Sequence, residues 1–281
     1  MTANRNLKAT VLCENSVSGP FGITGEHGWA VFLETDHGNL LFDTGQGQGI
    51  VSNSLILKKD LCSIECLVLS HGHYDHTGGL PKVLSLTGKI PVHGHPDIFV
   101  ERRWHKDNAH RDIGIRFRRA WLESMGADFR LTRDFTEIYP GIFLTGEVPR
   151  ITEFEPPDPH MQIRTADGKW EQDPLLDDLS MVVETKKGLV VILGCAHAGL
   201  VNILEHVNNM LPERPIYAVM GGTHLGFADS EQFDMTLKAL GKFDVQLLGA
   251  SHCTGLENSA RLFAQLSSRF FFAFAGSCLA V

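Results

Sequence analysis

The chain has few of the marks that set a protein apart from an ordinary soluble domain. Its six cysteines (Cys13, Cys62, Cys66, Cys195, Cys253, Cys278) are scattered, with no C-x-x-C pair, so reduced thiols in the cytoplasm are expected. Met1 to Asn15 contains no apolar core of the secretory kind, and no leader is expected there. The terminal apolar run, Phe270 to Val281, is too short for a membrane span and predicts a buried final strand. Its last four residues, Cys278-Leu279-Ala280-Val281, match a prenylation box only superficially. No polybasic run precedes them, and valine is not a usual last residue. Basic residues are the minority, 25 against 33 acidic for a net charge of −8, which argues against a nucleic-acid-binding surface. Internal repeats and low-complexity tracts are absent as well.

What is present is a 281-residue chain with 43% apolar and 21% charged residues, enough for a large core in one big domain or for two modest ones. Alternating apolar stretches predict strands at 7–13, 29–35, 39–42, 66–70 and 90–93, with helices over 53–59 and 80–86. Residues from about 96 to 127 are rich in Arg, His and Trp at helical spacing and predict an inserted helical cap. The proline-rich and acidic stretch 154–174 predicts a long loop. Strands follow at 179–185 and 189–193, and the remainder alternates: helix 200–211, strand 216–220, helix 231–240, strand 245–248, helix 255–266, strand 270–275. Hairpins in both halves with helices between strands imply two packed sheets with helices outside.

Fourteen histidines are the informative surplus. Leu69-Ser70-His71-Gly72-His73-Tyr74-Asp75-His76 follows an apolar run and precedes Thr77-Gly78-Gly79. Three histidines and a carboxylate this close together form a donor set of the type that binds Zn²⁺ or a similar ion. In extended backbone His71 and His73 point the same way and grip one ion, while Asp75 and His76 serve a second. Three later strands each end in Gly-x-x-His: Gly194-Cys195-Ala196-His197, Gly221-Gly222-Thr223-His224 and Gly249-Ala250-Ser251-His252. Polar residues at buried strand ends face crevices, so these ends are expected to converge with the 71–76 turn.

This arrangement resembles the metallo-β-lactamase superfamily, through His71-x-His73-x-Asp75-His76, the upstream Phe42-Asp43-Thr44-Gly45 and the order of elements over nearly the whole chain. The resemblance implies an α+β fold, a four-layer αββα sandwich over 1–281 carrying the helical insertion, with two divalent ions on one edge. Zn²⁺ is the first expectation, and Mn, Fe and Mg are alternatives. It places His71 and His73 on the first ion and Asp75, His76 and His252 on the second. Asp43 hydrogen-bonds the metal loop instead of binding an ion. Two positions depart from the pattern. A bridging aspartate is replaced in Gly194-Cys195, where Cys195 either bridges two soft ions as a thiolate or packs while His197 binds. The third histidine of the first ion is missing; its place falls near Thr145-Gly146-Glu147 or at Asp177-Asp178, with Glu147 the substitute.

A closer resemblance runs through Thr145-Gly146-Glu147-Val148-Pro149-Arg150, Phe154-Glu155, Gly194 to Gly199, Gly221 to Leu225 and His252-Cys253-Thr254-Gly255. These motifs look like a subfamily that includes the archaeal dihydropterin synthase of tetrahydromethanopterin biosynthesis. There an aminobenzene ribose-phosphate displaces pyrophosphate from hydroxymethyl-dihydropterin diphosphate. The resemblance implies a metalloenzyme acting on a small phosphorylated substrate, with water as nucleophile in a hydrolase and an amine in a synthase. Asp75, His197 and His224 are the catalytic candidates. Arg150 is the first candidate phosphate anchor, followed by Arg102 and Arg103. Trp104 and Trp121 either stack on a planar pterin or belong to the core. Rival readings are a metal-binding or sensing module without catalysis and a phosphodiesterase or nuclease of the same superfamily. No membrane or nucleic-acid partner is expected, and a homo-oligomer is compatible with the sequence.

Overall fold

The structure, a computed structural model, describes residues 6–19 and 22–281. Met1 to Arg5 of the stretch read for a leader lie outside the described residues. The chain runs through β1 (Leu7–Cys13), β2 (Ala30–Thr35), β3 (Gly38–Phe42), α1 (Ile50–Ile56), β4 (Ile64–Val68), the single-turn α2 (Tyr74–Thr77), α3 (Leu80–Thr87) and β5 (Ile90–Gly94). It continues through β6 (Arg102–Lys106), β7 (Ala109–Asp112), α4 (Arg119–Ser124), β8 (Ala127–Leu131), β9 (Thr136–Tyr139), β10 (Ile142–Leu144), β11 (Met161–Arg164) and β12 (Trp170–Gln172). The last part comprises β13 (Met181–Thr185), β14 (Gly188–Ile192), α5 (Leu200–Met210), β15 (Ile216–Gly222), α6 (Ser230–Lys242), β16 (Leu247–Ser251), α7 (Leu256–Leu266), β17 (Phe270–Phe272) and β18 (Cys278–Ala280).

Two seven-stranded sheets, in the orders β18-β1-β2-β3-β4-β5-β8 and β17-β16-β15-β14-β13-β10-β9, form the centre. Both faces of each are apolar, because the strands alternate between two cores. In β2, Val31 and Leu33 point to the other sheet, where Val190 and Ile192 of β14 meet them. Ala30 and Phe32 point outward to the helical layer of Ile50, Leu80, Val83, Leu84 and Leu122. On the far side Leu189, Val191 and Leu193 pack beneath Ile203, Leu204, Phe233 and Leu262 of α5, α6 and α7. Each such side chain contributes roughly 1.5–3 kcal/mol by leaving water, and the sum is the αββα sandwich.

Two expectations are corrected. The segment 96–127 is not a helical cap: its centre is the β6–β7 hairpin, and only Arg119–Ser124 is α-helical. The stretch 154–174 is not one long loop, since it contains β11 and β12. The two errors share one cause. β6 pairs with β11, Arg102 opposite Ile163 and Trp104 opposite Met161, so each segment supplies the partner that makes the other a strand. Pro156, Pro157 and Pro159 precede β11 and Pro174 follows β12, leaving the proline-free interval to pair. The result is a small third sheet, β12-β11-β6-β7. The terminal apolar run also divides: β17 pairs with β16, whereas β18 pairs with β1 in the other sheet.

Candidate metal centre

β4 lies between β3 and β5 and runs parallel to both, so its exit carries the chain to the sheet edge. His73 sits in extended conformation immediately before α2, which places Asp75 and His76 on the following turn. The loop is braced from three sides. Asp43, at the exit of β3, accepts from the Ser70 backbone N–H at 2.7 Å with one oxygen; the other accepts from the Ser70 hydroxyl and pairs with Nδ1 of His76, both at 2.7 Å. Gly72 N donates to Asp177 at 2.7 Å, and Asp177 accepts from Arg102 at 2.8 Å. The end of the insertion closes over the loop, Tyr74 N donating to Ile113 O at 3.0 Å.

The second sheet delivers one histidine from each of three strand ends. Ala196, His224 and His252 have positive φ, as does Asp43 (54°, 57°, 50° and 58°). Left-handed backbone is unfavourable for side-chain-bearing residues, and here it turns each strand end toward the same point.

Three donor groups result, the ligand atoms of each lying within 4.8 Å of one another: His71, His73 and His197; His27, Asp75 and His252; and His71, His76 and Cys195. His71 Nε2 is 3.0 Å from His73 Nδ1. Asp75 Oδ2 is 3.2 Å from both His27 Nε2 and His252 Nε2, and Asn15 Oδ1 lies 2.8 Å from His252 Nδ1, turning the other ring nitrogen inward. His76 Nε2 approaches Cys195 Sγ at 3.1 Å.

Burial sets the charge states. It drives His71 and His197 well below the ordinary histidine range, His73 down to about 3 and His224 to about 4, and it lowers His252 too. Burial also opposes ionised His76, but Asp43 outweighs it and raises His76 to about 9. At Asp75 the penalty of burial is overcome by hydrogen bonds from His252 and His27, which hold the carboxylate well below its usual range. Burial, followed by Cys253, pushes the Cys195 thiol well above its own.

The residues fit divalent cations. His73 Nε2 and both ring nitrogens of His197 are buried without a hydrogen-bond partner. Orphaned buried polar atoms are costly, and neutral imidazoles with lone pairs beside an ionised carboxylate are what Zn²⁺ and related ions accept.

His71, His73, His197, Asp75, His76, His252 and Cys195 therefore come together, and Asp43 touches the loop as expected. Glu147 does not join them. It accepts from Arg133 at 2.6 Å and lies 3.1 Å from His95, while His197 fills the third position beside His71 and His73. The local motif around Glu147 concealed this, because His197 arrives from a different strand. His224 stands next to His197, ring centres 4.5 Å apart.

The three arginines read as phosphate anchors stand outside the donor groups and are engaged by the protein itself. Arg102 is buried, bonded to Asp173 at 2.7 Å, Asp177 at 2.8 Å and Asp97 O at 2.9 Å. Arg103 lies on the outer face, bonded to Gln162 and 4.3 Å from the centre of the Trp170 ring. Arg150 donates to the backbone oxygen of His197 at 2.6 Å and braces that loop. Glu155 receives the Val201 and Asn202 N–H groups at 2.8 and 3.0 Å, which anchors the start of α5. His27 was not anticipated. It stands alone in Glu26-His27-Gly28, and no local pattern distinguishes it from a surface histidine.

Above the donors lies a cavity of about 810 Å³. Its floor includes His73, Asp75, Cys195, His197, His224 and His252; its roof is drawn from β6, β7 and residues 156–161. Trp104 lines it, whereas Trp121 is surface-exposed, 46% accessible. No helix among the described residues is long and apolar enough to cross a membrane.

A family model of the metallo-beta-lactamase superfamily matches residues 23–198. The chain is 30% identical over 261 residues to 7,8-dihydropterin-6-methyl-4-(beta-D-ribofuranosyl)-aminobenzene-5'-phosphate synthase of Methanocaldococcus jannaschii, covering 90% of this chain and 89% of the relative. A crystal structure of a metal-dependent hydrolase of the beta-lactamase superfamily superposes with a TM-score of 0.84 at 27% identity, over 98% of this chain and 99% of that one. Zn²⁺-bound PqqB from Methylobacterium extorquens, 12% identical, shares the fold with a TM-score of 0.56 over 98% of this chain and all (100%) of that one.

Proposed function

This chain belongs to the metallo-beta-lactamase superfamily, and within it we propose a two-cation enzyme acting on a phosphorylated small molecule, with the pterin–aminobenzene condensation as the specific reaction. The observation that carries the reading is the pair of donor groups, the buried His71/His73/His197 and the buried Asp75 and His252 joined by the exposed His27, at the base of a cavity of about 810 Å³. That size suits a substrate of several rings. The M. jannaschii synthase, similar over most of both chains, supplies the reaction to try first.

Divalent cations bound there supply positive charge to the oxygens of a departing diphosphate. The chain's own part is binding and proton handling. In the condensation the methylene C–O bond breaks, its electron pair leaves with the diphosphate, and the aniline nitrogen forms the new C–N bond. The nitrogen's proton needs an acceptor. His224 lines the cavity and burial keeps it neutral at pH 7, with its ordinary ionisation lowered to about 4; a ring nitrogen there takes the proton. His71 and His73 are held by the Asp43–Ser70 and Asp177–Gly72 contacts, so the donors that would hold a cation are kept in place.

Mass spectrometry of hydroxymethyl-dihydropterin diphosphate, incubated with metal-loaded protein with and without the aminobenzene ribose-phosphate, tests the reading. Condensed product and pyrophosphate only with the acceptor are expected. Breakdown without acceptor would make water the nucleophile and the protein a phosphohydrolase. No turnover in protein that holds two ions would overturn the pterin assignment.

A further inference from the structure

In an antiparallel pair, opposed residues project from the same face, and so does every second residue along each strand. The β6–β7 register sets Trp104 opposite Arg111 and Lys106 opposite Ala109, while β11 sets Met161 opposite Trp104. All five line the cavity. Arg103 belongs to the other face, over Trp170. The alternation thus divides the hairpin's cations: Arg103 outward, and Arg102, Lys106 and Arg111 inward, Arg102 paired with Asp173 and Asp177 and the other two above the metal floor. Among the described residues, neither Lys106 nor Arg111 has a carboxylate in ion-pair range. Trp104 meets His160 at 5.8 Å between ring centres, forming an aromatic corner beside the two cations.

We propose that the inner face of the β6–β7 hairpin is an anion-recognition wall, in which Lys106 and Arg111 hold the phosphoryl oxygens of an aryl or heteroaryl phosphate whose ring lies against Trp104. The ammonium contributes rotating donors and the guanidinium a planar fork, a pairing suited to the unequal oxygens of a phosphate ester. The apolar ring face suits a planar partner. The wall rests on the phosphorylated-substrate reading above, and it adds to that reading the residues and the ring that select the substrate.

Calorimetric titration of the metal-loaded protein with phenyl phosphate and with inorganic phosphate tests the proposal. The double variant Lys106→Ala/Arg111→Ala is expected to bind both probes at least ~tenfold more weakly, as loss of charge-assisted hydrogen bonds implies. Trp104→Ala should weaken phenyl phosphate and leave inorganic phosphate unchanged, and Arg103→Ala should stay within about twofold of the parent for both. Metal content should be the same in all. Parental affinity in the double variant would overturn the wall, as would an equal loss in Arg103→Ala, which would point to hairpin integrity and not to register. The two levels separate cleanly. Binding that depends on Lys106 and Arg111, with no pterin turnover, leaves the wall standing without the reaction. Pterin turnover with unchanged KM in the double variant does the opposite.

Discussion

The buried floor histidines His71, His73, His197 and His252 sit on strand ends and turns of the two central sheets, and Asp43 and Asp177 brace the 71–76 turn. The roof above them comes from a hairpin and a proline-bounded segment that the sheets merely support. At the floor, His71, His73 and Asp75 come from one short turn and His197 and His252 from the ends of two parallel strands, so their positions are fixed by the two central sheets. In the roof, Lys106 and Arg111 are exposed, carried by a small four-stranded sheet with two edges. A rigid floor suits chemistry that tolerates little displacement. An inserted roof can change residue by residue without disturbing the sandwich beneath, which suits substrate choice.

The sharpest way to break this division is to alter the floor. His71→Ala removes a donor shared by two of the three groups. With several kcal/mol of charge stabilisation at stake and a tenfold rate change per 1.36 kcal/mol, turnover should fall about 10³-fold or more while circular dichroism stays native. A variant with near-parental kcat would move the chemistry elsewhere.

The joint between floor and roof comes next. Arg102, in the hairpin, is linked through Asp177 to Gly72 N, between His71 and His73. Arg102→Met leaves Asp173 and Asp177 buried and unpaired, and breaking such a pair costs roughly 3–5 kcal/mol. Urea unfolding should register that loss. A change below ~1 kcal/mol would mean that the roof hangs free of the metal loop.

The pH dependence of metal-free protein separates the parts in another way. His73, His224 and the distant His93 are all lowered, chiefly by burial, to about 3, 4 and 4. A histidine lowered in the folded state binds fewer protons there than when unfolded. The stability it gives is complete above about pH 6.5 and is lost as pH falls toward 4. His76 has the opposite sign: raised to about 9, it stabilises below pH 6.5 and loses that contribution as pH climbs through 9. Thermal unfolding in chelator should show Tm falling on both sides of neutrality, more steeply in acid. A flat profile from pH 7 to 4 would mean that the floor is hydrated and loosely packed.

The smallest effect belongs to the roof's outer face. Arg103→Ala removes a stacking contact with Trp170 worth ~0.5–1 kcal/mol, so Tm should move slightly and turnover hardly at all. A large loss of turnover would contradict the inward and outward assignment of the hairpin's cations.

The same contrast explains what could be read from the sequence. His71, His73, Asp75 and His76 were legible because one turn holds them all, and the strands at 7–13 and 39–42 because two apolar faces leave a plain pattern. His197 and His252 were legible as strand ends, but the assignment of His197 beside His71 and His73 required the two sheets to be packed together. The roof was not legible. β6 is a strand because β7 pairs with it on one side and β11, nearly sixty residues later, on the other. Taken alone, the Arg-, His- and Trp-rich residues of about 96–127 have helical spacing and say nothing of which side each takes. Arg102, a plausible phosphate anchor in one dimension, is a buried strut in three.

Metal analysis of the purified chain by inductively coupled plasma mass spectrometry, alongside His73→Ala and His252→Ala, tests the central claim most directly. Two ions per chain are predicted, falling to one in each variant, because His73 and His252 lie in different donor groups. A single ion in the parent protein, or two ions retained in both variants, would contradict a two-cation floor.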